Sequence, residues 1–164
     1  MVSKFLLISG ASDTGKSTVI GCIDNYLRND KKFVEQNSFK ITQDENAFIL
    51  EGVDKTGTKI RIFINYPADN RTIINKVYSC YDKEKTSCDI VISAIRDMDW
   101  ERDEVLKKFN IIKHDTTEIP SPIIVEIPIA KITRRNNRTK ILHDYHSRVF
   151  KLAKNVLSSS LFNI

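Results

Sequence analysis

A short segment near the amino terminus constrains this chain more than any other part of its sequence. Residues 4–9 form a short, nearly continuous apolar run, which suits a central parallel strand buried on both faces. A glycine, four further residues and Gly15-Lys16-Ser17 follow. Apolar residues then recur at helical spacing from about Lys16 to Leu27. The segment therefore predicts a strand, a tight loop bounded by glycines and a helix, in that order.

The residues of this loop are of the types that bind phosphate. Gly10 and Gly15 can take positive φ and bring bare backbone close to phosphate oxygens. Amides from about Asp13 to Thr18 can point inward as an anion-binding nest, and the helix that begins near Lys16 adds its positive end. The predicted cofactor-binding residues are Gly10, Asp13, Thr14, Gly15, Lys16, Ser17 and Thr18.

The spacing G-x-x-x-x-G-K-[ST] is that of the Walker A motif, and over residues 4–18 the chain resembles the P-loop NTPase superfamily. The resemblance implies that Lys16 reaches the β- and γ-phosphates of ATP or GTP and acts in catalysis. It also implies that the Ser17 hydroxyl holds Mg²⁺. The alternative is a glycine-rich turn between a strand and a helix, with a surface lysine.

The remaining pattern predicts one α/β domain over residues 1–164, with strands and helices that alternate. We expect a three-layer P-loop NTPase fold of about five mostly parallel strands, with one antiparallel edge strand from a hairpin and helices on both faces. The same order of elements resembles the Ras-like GTPase core without its last strand and helix, and it could also arise by insertion of a hairpin in a nucleotide kinase. Residues 33–46 show no clear period and are interpreted as a loop. Further strands are expected at 47–53, 58–66, 88–95 and 122–129, and further helices at about 70–82, 100–109 and 139–158.

Phosphoryl transfer also needs groups that complete the Mg²⁺ shell, and in α/β sheets these lie at the carboxyl ends of strands. Asp69 and Asp97 follow two predicted strands and are the candidate metal ligands beside Ser17. Each of them could instead cap a helix or lie solvated in a loop. Asn65 stands where a carboxylate would be expected.

A basic segment precedes the last helix and contains Arg134, Arg135 and Arg138. In nucleotide and small-molecule kinases, arginines on a lid close over the phosphates and stabilise the transition state. We therefore take Arg134 and Arg138 as catalytic candidates, with a solvated connection as the alternative. Arg96, which follows the strand at 88–95, could also face phosphate.

The sequence favours ATP over GTP. GTPases read guanine with [NT]-K-x-D after the strand that aligns with residues 122–129, whereas this chain has Ala130-Lys131-Ile132-Thr133. The lysine is present, but the asparagine before it and the aspartate that reads the base are not.

Composition places the chain among ordinary globular proteins. Its net charge is +5, which suits anionic partners such as nucleotide phosphates. We expect a cytoplasmic protein without a signal peptide or membrane span, whose three cysteines stay reduced. His143 and His146 are three residues apart on a helix and could hold a metal, but solvated residues are the favoured interpretation.

The sequence thus predicts a magnesium-dependent protein that binds a nucleoside triphosphate and transfers or hydrolyses its γ-phosphoryl group. A small-molecule or nucleotide acceptor would make it a kinase, and water would make it a simple NTPase. The alternative is a regulatory or adaptor protein with little turnover, in which nucleotide sets a conformation. A role in nucleic-acid binding is disfavoured, because aromatic residues are not interleaved with the basic ones.

Overall fold

The computed structural model describes residues 4–43, 46–66, 70–84, 88–96, 99–109, 122–132 and 139–164. These residues form an α/β structure of strands and helices that alternate along the chain. The strands are β1 (Lys4–Gly10), β2 (Val34–Lys40), β3 (Asn46–Val53), β4 (Lys59–Asn65), β5 (Ile90–Arg96) and β6 (Ile123–Pro128). The helices are α1 (Lys16–Asn25), which a π-helical turn at Tyr26–Asp30 extends, α2 (Arg71–Glu84), α3 (Asp99–Lys108) and α4 (Thr139–Ser158).

All six strands join one mixed sheet in the order β2-β3-β4-β5-β1-β6. The β4–β5, β5–β1 and β1–β6 pairs are parallel, whereas β3 runs antiparallel to both of its neighbours. Strand β1 has a parallel partner on each side and is buried along nearly its whole length. The expectation of a buried central strand at residues 4–9 is therefore confirmed. Pro128 cannot donate to a ladder, so the sequence also predicts that the strand at 122–129 lies near an edge of the sheet or ends there, and β6 is an edge strand that ends at Pro128.

Strand β2 is the main departure from the predicted topology. Residues 33–46 were expected to form a loop, but Val34–Lys40 pairs with β3 and makes the sheet six-stranded. Its side chains are mostly exposed and a register shift interrupts the pairing near Glu35, so no apolar alternation marks this strand in the sequence. The expected antiparallel edge is also wrong, because β3 lies inside the sheet and β2 forms that edge.

Two apolar cores cover opposite faces of the sheet. Alternate residues of β1 supply them: Leu6 and Ile8 pack with α1 and α4, whereas Phe5 and Leu7 pack with α2 and α3. Because successive side chains of a strand point to opposite faces, the helices lie on both sides of the sheet. This arrangement is compatible with the three-layer fold that the sequence predicts.

Helix α4 has the expected bounds but presents a different face to the core. The apolar spacing of this segment predicts a buried stripe of Ile141, Leu142, Tyr145, Val149, Leu152 and Val156, but Ile141 and Leu152 are exposed in the structure. The buried residues are His146, Val149, Ala153 and Leu157, at spacings of three and four that also define one helical face. In the described parts of the chain, no helix has both the length and the apolar character needed to cross a bilayer.

The topology places the loop after β1 at a particular point of the sheet. Helix α1 leaves the carboxyl end of β1 toward one face, while α3 follows β5 toward the opposite face. Strands β1 and β5 are neighbours, so the connections leave adjacent carboxyl ends in opposite directions, which is the point where an open α/β sheet forms a crevice. In open α/β sheets, ligands bind in such a crevice, where the direction of the connections reverses.

Candidate functional site

The loop between β1 and α1 has a backbone conformation suited to anion binding. Asp13 has a φ of 58° and Gly15 a φ of 92°, so left-handed residues lie on either side of Thr14. Successive amides around left-handed residues turn toward one point and form a concave nest. The backbone of the loop is therefore shaped to surround an anion.

Contacts within the loop and from the segment after β6 fix its base. A Cβ atom on Gly10 would lie 2.7 Å from the Ile129 carbonyl oxygen and 2.8 Å from Thr14 Oγ1. Ile129 N–H donates to the Ser9 carbonyl at 2.7 Å, and the Thr14 hydroxyl donates to the Ala11 carbonyl at 3.0 Å. The side chain of Thr14 thus closes the loop on itself, which leaves its backbone as the part able to meet a ligand.

Lys16 turns back across the loop. Its Nζ donates to the Gly10 carbonyl at 3.0 Å and to the Ala11 carbonyl at 2.8 Å, and the residue is 6% exposed. An ammonium group withdrawn from water is costly unless other groups replace its hydration. These contacts hold the positive charge over the loop and not out in bulk solvent.

Ser17 and Thr18 lie in the first turn of α1, and both are exposed. That turn contains no acidic residue, and the residue at the cap position is Gly15, which has no side chain to bond the first amides of the helix. The positive end of the helix is therefore suited to an anion.

The ends of β4 and β5 add polar side chains at the same edge of the sheet. Arg96 is the register partner of Gly10, and its Nη2 lies 3.4 Å from the hydroxyl of Ser12. Asn65 and Ser93, both buried, are paired in register, and the Asn65 amide donates to Ser93 Oγ at 3.1 Å. A neutral hydrogen-bonded amide thus occupies the position where a carboxylate would be expected.

A polar network holds α1 against the end of β4. Asp24 accepts hydrogen bonds from Arg28 Nε at 2.7 Å and from the Tyr66 hydroxyl at 3.0 Å. Burial raises the pKa of Tyr66, and the adjacent Asp24 carboxylate adds to the shift. Tyr66 therefore remains a neutral hydrogen-bond donor and fixes the helix that follows the loop.

Several predicted site residues lie outside the described residues, namely Asp69, Asp97, Arg134, Arg135 and Arg138. Their roles as metal ligands and lid arginines remain predictions. Among the residues that are described, no group of three or more His, Cys, Asp or Glu side chains is placed to hold a metal ion.

Sequence analysis missed one residue that contacts the loop, His146 on α4. It was interpreted as solvated, but it is buried, and its Nε2 lies 2.9 Å from the Thr14 carbonyl oxygen. His143, the other histidine considered as a metal ligand, has an exposed side chain. The available signal was spacing, since His146 lies three residues before Val149 on the buried face of the helix.

The loop, the buried lysine, the helix end and Arg96 thus converge at the carboxyl edge of the sheet. Comparison of the chain with models of protein families, with curated proteins and with solved structures found no significant match.

Proposed function

We propose that this chain has a P-loop NTPase fold and binds a nucleoside triphosphate with Mg²⁺ at residues 10–18. The observation that carries the proposal is the position of Lys16, whose ammonium group is withdrawn from water and tied across a loop of left-handed backbone. A polyphosphate would supply the negative charge that complements this lysine, the converging amides and the helix end.

The residues of the loop would have distinct roles. Backbone amides from Asp13 to Thr18 would bind phosphate oxygens, and Lys16 would supply a positive charge to the β- and γ-phosphates. The Ser17 hydroxyl, in the first turn of α1, would hold Mg²⁺, together with Asp69 or Asp97. The metal would neutralise charge on the phosphates when bound.

Positive charge beyond the loop supports transfer or hydrolysis of the γ-phosphoryl group. Arg96 lies beside the loop, and the segment that carries Arg134 and Arg138 directly precedes α4 in the sequence. Guanidinium groups stabilise the charge that spreads over the transferred phosphoryl group. The acceptor is a small molecule or nucleotide in the kinase form of this proposal and water in the NTPase form.

We propose ATP as the preferred nucleotide, because the segment after β6 lacks the asparagine and aspartate with which GTPases recognise guanine. The cytoplasm, where nucleotide is abundant and thiols stay reduced, is the proposed compartment. Cys22, Cys80 and Cys88 all have free thiols, which agrees with it.

A second candidate function is regulation by nucleotide binding with little turnover. Asn65 favours it, because a neutral side chain that is buried and bonded to Ser93 cannot supply the negative charge of a metal-ligating carboxylate. Phosphate release and transfer to candidate acceptors, measured with Mg²⁺ and saturating ATP, separate the two functions. Tight binding without turnover would select the regulatory form.

Binding itself is tested by titrating wild type and Lys16→Ala with ATP and Mg²⁺ in a calorimeter. A hydrogen bond to a charged group contributes about 1.5–3 kcal/mol, so the dissociation constant should rise about 10- to 150-fold. Lys151→Ala, which removes an exposed lysine of α4, is the matched control and should bind as wild type does. Equal affinity of wild type and Lys16→Ala would overturn the proposal.

A further inference from the structure

His146 reaches the loop from the far end of the sequence. The two hydrogen-bonded residues, Thr14 and His146, are 132 positions apart. His146 as a whole residue is 8% exposed, whereas the side chain of His143, one turn earlier on α4, is 86% exposed. The side chain of His146 is therefore buried, and it makes a hydrogen bond with the loop there.

The imidazole also fills the space beside Gly15. A Cβ atom at this position would lie 2.1 Å from His146 Nε2 and 2.2 Å from its Cε1. Real atoms do not approach so closely, and the φ of 92° already disfavours any other residue. The ring and the glycine thus fit together as one contact.

The hydrogen bond fixes the direction of an amide in the loop. Because a carbonyl oxygen can only accept, His146 Nε2 carries the hydrogen and donates it to the Thr14 oxygen. In a trans peptide, the carbonyl and the following N–H point in opposite directions. With the Thr14 carbonyl held toward α4, the Gly15 N–H is directed away from α4.

Tyr145, which precedes His146 on α4, contacts the segment after β6. Tyr145 Oη accepts a hydrogen bond from Ala130 N–H at 2.8 Å. The preceding residue, Ile129, donates its N–H to the Ser9 carbonyl. Further along α4, Val149 and Ala153 pack in the same core as α1. The helix thus contacts both the loop and the segment after β6.

We propose that His146 is a positioning residue, which orients the Thr14–Gly15 peptide so that the Gly15 amide faces bound phosphate. This inference rests on the proposed nucleotide binding at the same loop. In this proposal, α4 helps to shape the phosphate site, although its residues are not part of the sequence motif.

The test compares His146→Ala, His146→Gln and the control His143→Ala, with binding of ATP and Mg²⁺ measured by calorimetry. Loss of a hydrogen bond to a buried group should raise the dissociation constant of His146→Ala about 5- to 150-fold. Glutamine retains an N–H donor, so His146→Gln should bind within about threefold of wild type, which is less than the lower limit of that loss. His143→Ala should bind as wild type does.

The amide resonance of Gly15 in ¹H–¹⁵N spectra gives a second measurement. It distinguishes a change at this peptide from a general loss of stability. Both substitutions remove the ring current of the imidazole, so the lost hydrogen bond is measured as the difference in the Gly15 amide shift between His146→Ala and His146→Gln without nucleotide. If His146→Ala fails to fold, the glutamine variant and the wild-type titration still decide, because Gly15 and the His146 ring nitrogens should shift together as nucleotide saturates.

The outcomes separate the two proposals. Wild type that fails to bind nucleotide overturns both. If wild type binds nucleotide and folded His146→Ala binds it with equal affinity, the positioning role alone is overturned. The same holds if wild type binds nucleotide but the resonances of Gly15 and His146 do not shift together. Equal losses in His146→Gln and His146→Ala also overturn it, because the donor would then be irrelevant.

Discussion

At the scale of single residues, Gly15 shows how backbone conformation and packing combine in the loop. Its φ of 92° lies in the left-handed region, and the ring of His146 occupies the place of a side chain. Gly57, in the turn between β3 and β4, has a similar φ of 83°, but a Cβ atom there would meet no described atom within 4 Å beyond its chain neighbours. An added side chain would therefore meet only an unfavourable backbone conformation at Gly57, but both this conformation and a steric clash at Gly15.

We expect Gly15→Ala to lower the free energy of unfolding more than Gly57→Ala does. The left-handed conformation alone costs an alanine about 1–2 kcal/mol, and only position 15 adds the clash with His146. Urea unfolding of both variants measures the difference. The double variant Gly15→Ala with His146→Ala should recover part of the loss, and purely additive effects would contradict the contact.

Arg96 gives a prediction about the number of phosphates that the site recognises. Its guanidinium lies beside the loop at the end of β5, so we expect it to meet the γ-phosphate of a bound triphosphate. Arg96→Ala should weaken binding of ATP about 10- to 150-fold and binding of ADP much less. Calorimetric titration with each nucleotide measures the ratio, and Arg148→Ala, an exposed arginine of α4, is the control. An unchanged ratio of the ATP and ADP affinities would contradict this role.

At the scale of elements, the turn between β3 and β4 is joined to the carboxyl-terminal segment. Asp54 accepts hydrogen bonds from the Thr56 hydroxyl and from two amides of the turn. Asn163 donates to the same carboxylate at 3.1 Å, and its carbonyl accepts from Lys55 N–H at 2.9 Å. Of these donors, the Thr56 hydroxyl contributes most to lowering the pKa of Asp54, from 3.8 to about 2.

This carboxylate should make stability depend on pH in the acid range. The pKa of Asp54 is lower in the folded than in the unfolded chain, so its stabilising effect is complete above about pH 4. It is lost as the pH falls toward 2, where the folded protein also takes up the proton. Urea unfolding between pH 5 and 2 should therefore show a smaller loss of stability in Asp54→Asn than in wild type.

Carboxyl NMR titration tests the cause directly. Replacement of Thr56 by valine removes the hydroxyl donor and should move the pKa of Asp54 toward 3.8. An unchanged pKa in this variant would mean that the hydroxyl does not set the shift.

At the scale of the whole molecule, the last residues complete the core between the sheet and helices α1 and α4. Phe162 and Ile164 are each 1% exposed and belong to this core, whereas Leu161 is 45% exposed. Lys4 at the start of β1 also donates to the Phe162 carbonyl at 3.5 Å. The carboxyl-terminal segment thus covers the end of the sheet opposite to the proposed nucleotide site.

We expect Phe162→Ala to lower the free energy of unfolding by about 3–5 kcal/mol, because it removes a fully buried aromatic ring. Leu161→Ala, next to it in the chain but exposed, should change it by only about 0.5 kcal/mol. Chemical unfolding of both variants measures the contrast. Similar effects of the two substitutions would show that the segment does not pack as the structure has it.

Much of the fold follows from local patterns. The strand at residues 4–9, the neighbouring strands at 47–53 and 58–66 and the limits of α4 are all predicted from the sequence, because each depends on periodicity or turn-forming residues near in sequence. Strand β2 was not, because its mostly polar residues gain order from backbone pairing with β3. Such pairing has no signature in the strand itself.

By itself, the sequence determined the strand, loop and helix around Lys16, since spacing and residue type are enough to predict a buried strand, a tight loop bounded by glycines and a helix. Only the tertiary structure decided which distant groups meet that loop. The Arg96 guanidinium and the His146 imidazole reach it through strand order and through the angle at which α4 packs on α1. Those relations depend on how whole elements bury their apolar faces against one another, which no local pattern records.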